Sequence, residues 1–141
     1  MVVRAEKMIS KLNSKAIVYG VITYPIVYVA YVAFLNVLLP DDPGPYIDWI
    51  YALFNIVSWI GLLLPGYFAG RIAQEKGILH GFVVGILAGA GSSAFFAFVL
   101  SEQWLGESAV LNIVYYMTFI TFTASVGGGL GQLHAKYRLA A

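Results

Sequence analysis

The chain has 141 residues, 60% of them hydrophobic and only 11% charged, with a formal net charge of +1. A soluble domain is about 45–50% apolar and about 25% charged, so a water-soluble globule is excluded, and the near-neutral balance leaves no electrostatic footprint for nucleic acid. There is no cysteine, which excludes disulfides, thioether attachment of haem and thiol redox chemistry.

The apolar residues gather in four blocks without Asp, Glu, Lys or Arg, at 16–39, 49–69, 78–100 and 109–130. An apolar run of about 18 residues or more reads as a transmembrane helix, long enough at 1.5 Å per residue to cross about 30 Å of hydrocarbon. The expected fold is all-α: one polytopic membrane domain of four spanning helices in an up-down bundle. The first block follows Arg4, Lys7, Lys11 and Lys15. It is too long for a signal-peptide core and has no small-residue cleavage site. It carries Gly20, Pro25 and the tyrosines Tyr24, Tyr28 and Tyr31. Residues 39–48, "LPDDPGPYID", predict a turn, since Pro40, Pro43, Gly44 and Pro45 cannot continue a helix. Asp41 and Asp42 lack the ligand spacing of a metal loop and read as solvated residues.

The second block contains Asn55, Ser58, Pro65, Gly66 and Gly70, and ends at Arg71, with Glu75 one helical turn on as a candidate ion-pair partner. The third opens "KGILHGFVVGILAGAG" and places Gly77, Gly81, Gly85 and Gly89 four apart. Residues 101–108, "SEQWLGES", form a second short loop. The fourth block holds Asn112, a polar run at 118–125 and the pair Gly127 and Gly131, before a tail with His134, Lys136 and Arg138.

All eight Lys and Arg fall on one side of this four-span scheme. The opposite loops hold Asp41, Asp42, Asp48, Glu102 and Glu107. The positive-inside rule then places both termini in the cytoplasm, with the protein in a prokaryotic inner membrane. Tyr46, Trp49 and Trp104 suit the outer aromatic belt.

In lipid, helices associate through close backbone approach over small residues. Gly66, Gly70, Gly77, Gly81, Gly85, Gly89, Gly127 and Gly131 are therefore the expected helix-packing positions, a glycine-zipper pattern. The first two are expected to face Gly77 and Gly81 across the short hairpin between the second and third helices. The expected bundle is tapered, narrow at the basic end and filled by aromatics at the other. Buried tyrosine hydroxyls need partners, for which Asn36, Asn55, Ser58 and Asn112 are candidates. A shift of 61 positions lays the first two helices on the last two, matching Gly20 with Gly81, Gly66 with Gly127 and Gly70 with Gly131. That suggests a weak internal repeat of two parallel hairpins.

No ionisable residue falls near a midplane, which argues against proton-coupled transport. No Ser-His-Asp set, carboxylate pair or phosphate loop is evident, so catalytic, cofactor and metal residues are all expected to be absent. His80 and His134 are the only candidate ligands for haem or a metal, and their interfacial position favours a structural role. Threonines and serines at 118–125 either line a narrow path or bond back to their own helix.

At residues 65–89, "PGYFAGRIAQEKGILHGFVVGILAG", the chain resembles small four-helix prokaryotic membrane proteins of unknown function that share a glycine-rich hairpin. The resemblance implies the same fold and no particular activity. The expected function is a non-enzymatic accessory, assembly or structural subunit of a larger membrane complex, or a homo-oligomer. Its partners would be membrane lipid and other integral subunits or itself, with bound lipid the only expected small molecule. The alternative is a small oligomeric channel or transporter, with Asn36, Asn55, Ser58 and Asn112 lining the path.

Overall fold

The structure, a computed structural model, describes residues 12–38, 47–99 and 109–140. Every element in it is helical: α1 (Ser14–Leu38), α2 (Ile47–Ala73), α3 (Gly77–Val99) and α4 (Ala109–Ala140). All four are long and apolar enough to cross a membrane. The chain is thus an all-α, four-helix membrane protein. Most of the turn expected at 39–48, the loop at 101–108, and Arg4, Lys7 and Lys11 lie outside the described residues.

The helices run past the apolar blocks at one end. α2 reaches Ala73 and α4 reaches Ala140, where the apolar blocks stop at 69 and 130. The extensions, "GRIA" and "GQLHAKYRLA", are rich in Ala, Leu, Lys, Arg and Gln, which favour helix. Arg71 and Arg138 lie in the last turns, and Asp48 lies in the first turn of α2, each complementing the helix dipole. Pro25 and Pro65 lie inside α1 and α2, which continue through them.

Only three residues join α2 to α3. Gln74 N–H still bonds the Gly70 carbonyl at 3.0 Å, but Gln74 and Lys76 have φ of 60° and 51°. Left-handed residues end a helix and cost about 1–2 kcal/mol each without glycine. This reversal removes the pairing expected of Arg71 and Glu75. Glu75 lies beyond the helix end, so the four-residue spacing no longer puts the two on one face.

α4 is the hub. It packs most extensively on α2 and α3, while α1 packs on α2 and, less, on α3. The glycines explain the hub. A Cβ at Gly66 would fall on the Ala124 carbonyl, and one at Gly70 on the Gly128 carbonyl. Gly81 and Gly77 approach the same two residues, Ala124 and Gly128, from α3. The glycines of α2 and α3 therefore do not face each other as expected. They face a common strip of α4, because Ala124 and Gly128 supply a backbone free of bulk that both neighbours can reach.

The α3–α4 approach loosens along the pair. At Gly77 and Gly81 an added Cβ would strike α4 carbonyls. At Gly85 it would lie 2.5 Å from Thr121 Cα and at Gly89 3.3 Å from Met117 Cα, while Gly91, which faces the α1 side of α3, has nothing within 4 Å. Near the same tight end, a Cβ on Gly20 of α1 would meet Val84 at 2.7 Å and the Pro65 carbonyl at 2.9 Å.

These surroundings predict opposite outcomes for one chemical change. Gly127→Ala, whose methyl meets the Leu63 carbonyl, should destabilise the bundle by about 1–3 kcal/mol. Gly91→Ala should be neutral or stabilising by up to about 1 kcal/mol. Thermal unfolding of both variants in one detergent checks this, and equal shifts would refute the contact assignment.

Candidate functional site

Three interhelical hydrogen bonds lace the end that holds the N-terminus of α1 and the C-terminus of α4. At the first, Asn13 caps α1, its side-chain oxygen accepting from Ala16 N–H at 3.2 Å. Its own N–H donates to His80 Nε2 on α3 at 2.9 Å. Since Nε2 accepts, the proton of the neutral ring sits on Nδ1, which donates to the Lys76 carbonyl at 3.0 Å. His80 is only 2% exposed. Both ring nitrogens are engaged in bonds within the protein.

At the second, Gly77 N–H, in the first turn of α3 and without an intrahelical acceptor, donates to Gln132 Oε1 of α4 at 2.7 Å. At the third, the Tyr67 hydroxyl of α2 lies 2.6 Å from His134 Nδ1 of α4. Among the described residues no cluster of three His, Cys, Asp or Glu could hold a metal. Asn13, Gln132 and Tyr67 carry half of each bond, and the sequence pattern does not single them out. Asn13 is readable as a cap, because it precedes an apolar helix. Gln132 and Tyr67 carry no such signal, since their roles depend on which helix stands opposite.

The other half of the molecule is open around α1. One cleft of about 390 Å³ lies between α1 and α2, with Tyr24, Tyr28, Tyr31, Ser58 and Gly61 among its walls, closed from behind by Tyr116. A second of about 430 Å³ lies between α1 and α3, walled by Tyr24, Tyr28, Gly91 and Ser92. Tyr24 of α1 and Ser92 of α3 stand on opposite walls of this second cleft. Ser92 donates to the Gly89 carbonyl at 3.1 Å.

Of the polar residues expected to meet the tyrosines or to line a path, Ser58 shares a cleft with Tyr24, Tyr28 and Tyr31, whereas Asn55 and Asn112 are exposed. Asn55 is exposed and donates to the Tyr51 carbonyl of its own helix at 3.0 Å. Asn112 is exposed, Ser58 lines the first cleft, and the Asn36 side chain lies outside the described residues. Thr123 donates back to its own helix at Phe119 and Ile120, and Ser125 donates to Thr121. Among the described residues the buried polar side chains are His80, Ser93 and Thr123, and Ser93 Oγ has no hydrogen-bond partner.

Comparison with protein families, with characterised proteins and with solved structures found no match.

The Tyr67–His134 bond predicts a coupling between its two ends. Tyr67→Phe and His134→Leu should each destabilise by about 1 kcal/mol, and the double variant by clearly less than their sum. His80→Leu should cost more, about 1–3 kcal/mol, since it removes a buried ring that bonds both the Asn13 N–H and the Lys76 carbonyl. Unfolding curves of the four variants measure both, and strict additivity of the Tyr67 and His134 effects would contradict the pairing.

Proposed function

We propose that the chain is a non-enzymatic accessory, assembly or structural subunit of a larger membrane complex, or a homo-oligomer, in a prokaryotic inner membrane with both termini in the cytoplasm. The observation that carries this reading is the standing of α1. In its most apolar stretch 6% of residues are buried inside the chain, against 22–29% for the other three helices. It is held most tightly at its N-terminal end, and its outer half leaves two apolar clefts open at its sides. A helix from a neighbour fills such clefts with side-chain contact, which drives association in lipid. The charge asymmetry supports the orientation. Lys15, Arg71, Lys76, Lys136 and Arg138 belong to the end that holds the N-terminus of α1 and the C-terminus of α4, and Asp48 to the other.

The test is the mass of the assembly extracted in mild detergent. A particle well above the 15.4 kDa chain is expected, either with a stoichiometric partner or as copies of itself. Tyr28→Ala with Val29→Ala, at the clefts, should release it to the single chain. A particle that contains one chain at every detergent concentration would end the proposal.

A second reading, an oligomeric channel or transporter, is favoured by the outward position of Asn55 and Asn112. Such a path would form between copies. It requires solute flux in liposomes holding only this protein, and loss of that flux in Asn55→Leu.

A further inference from the structure

We propose that the outer part of α1, from Pro25 to Leu38, is a hinged arm. It swings about Pro25 between α2 and α3, opening one flanking cleft as it closes the other. The motion belongs to a single chain and does not rest on the subunit reading.

Below Pro25, α1 is fixed by both neighbours. Ala16 is fully buried, and the Asn13 N–H is bonded to His80 of α3. A Cβ on Gly20 would meet Val84 of α3 at 2.7 Å and, on α2, the Pro65 carbonyl at 2.9 Å and the Ala69 Cβ at 3.0 Å. A helix packed this closely on two sides has no room to tilt.

From the level of Pro25 outward the surroundings change. The cleft against α2 is bounded on α1 by residues from Tyr24 to Phe34. The cleft against α3 has Pro25 itself in its wall, with Leu87 and Gly91 across from it. Two apolar contacts hold the arm on α2. Val27 Cγ1 lies 3.1 Å from where a Cβ on Gly61 would stand, and Phe34 meets Phe54 edge to face. In lipid such contacts exchange for other apolar contacts at little cost. On the opposite side a Cβ on Gly91 would have nothing within 4 Å, so there is space for the arm to close toward α3.

The backbone supplies the hinge. Pro25 lies inside α1 and brings no N–H to the Val21 carbonyl, while its ring crowds that carbonyl. The two halves of α1 are therefore joined by one hydrogen bond fewer, and sharp helix kinks fall mostly at proline. α2 gives the contrast. Pro65 also lies inside its helix, but it is buried. Its carbonyl faces Gly20, and the adjacent Gly66 meets the Ala124 carbonyl. Pro25 is exposed, with a cleft on either side of its helix. The same residue type is braced in α2 and unbraced in α1. Val37 stands twelve residues beyond Pro25, about 18 Å at 1.5 Å per residue, so a bend of about 20° carries it about 6 Å.

The chain has no cysteine, so paired spin labels can be introduced cleanly. Val37→Cys with Phe98→Cys marks the arm and the outer end of α3, and Val18→Cys with Ile78→Cys marks the base; all four positions are exposed. The full chain is placed in lipid nanodiscs and diluted with unlabelled chain, so that double electron–electron resonance reads distances within one molecule. The base pair should give one narrow distance and the outer pair two, about 6 Å apart. Pro25→Ala, which restores the missing N–H, should collapse the two into one. Gly91→Leu, which fills the cleft against α3, should remove the shorter distance and keep the longer. A single outer distance as narrow as that of the base overturns the arm. Two distances that survive Pro25→Ala overturn Pro25 as its hinge. Should Pro25→Ala fail to fold, Gly91→Leu decides: loss of the shorter distance upholds the swing, and its persistence overturns it.

Discussion

The structure depends on a strip of α4 that has almost no side chains. Ala124 and Gly128 are each approached by glycines of two other helices, and Gly127 and Gly131 let α4 reach the α2 carbonyls directly. In lipid no hydrophobic force favours this meeting over contact with acyl chains, so close van der Waals contact has to supply it. The contact area grows as backbones approach, and any added Cβ would strike a carbonyl oxygen rather than a flexible side chain. Glycine's helix penalty matters less in this setting than in water, because backbone hydrogen bonds in hydrocarbon have no competing solvent.

The same strip explains why the terminal end is closed. Where three backbones converge, polar groups at the helix ends come within bonding distance of one another. Asn13, His80, Gln132, Tyr67 and His134 then satisfy groups that would otherwise be stranded near the membrane interface. Moving outward, glycine gives way to side chains and contact relaxes, from Gly85 to Gly89. α1 is the element this loosening affects most. It is held by its capped N-terminus and by Gly20, and then by aromatic side chains such as Phe34, edge to face with Phe54 at 6.1 Å.

The fold class was legible because hydropathy and block length report directly on the solvent. That Gly66, Gly70, Gly77 and Gly81 make helix contacts could be argued from spacing alone, but not which helix they meet. Gly66 with Gly70 and Gly77 with Gly81 lie at matching depth on either side of a three-residue hairpin, and depth does not specify azimuth. Azimuth is set by Ala124 and Gly128, whose importance depends on two neighbours at once and leaves no four-residue signature of its own. The extent of α2 and α4 was underread for a different reason. Hydropathy marks where a helix leaves the hydrocarbon, whereas helix propensity and partners such as Gln132 decide where it ends. The polar residues were the least legible. Asn55 and Thr123 bond to their own helices, and a sequence shows the presence of a polar group without its direction.

The α2–α4 contact has a reciprocity that bears on how the asymmetry of the bundle arises. Gly66 meets the carbonyl of Ala124, and Gly127 meets that of Leu63; adding 61 to 66 gives 127, and subtracting 61 from 124 gives 63. Gly70 with Gly128 converts in the same way into Gly131 with Tyr67. Two parallel helices related by a two-fold axis along their length make such paired contacts, and the one-turn offset is the same in both. The flanking helices do not follow. Where α3 has Gly85 and Gly89, the same shift places Tyr24 and Tyr28 on α1. Gly85 and Gly89 let α3 sit close to α4, with its Cβ positions 2.5 and 3.3 Å from α4 Cα atoms. Tyrosines cannot do so, and α1 has no comparable contact with α4. It lies in the α2–α3 groove instead, its rings propping open the clefts on either side. The open flank of the molecule thus traces to two positions where bulk replaces glycine, while the seam that both hairpins share is kept free of bulk.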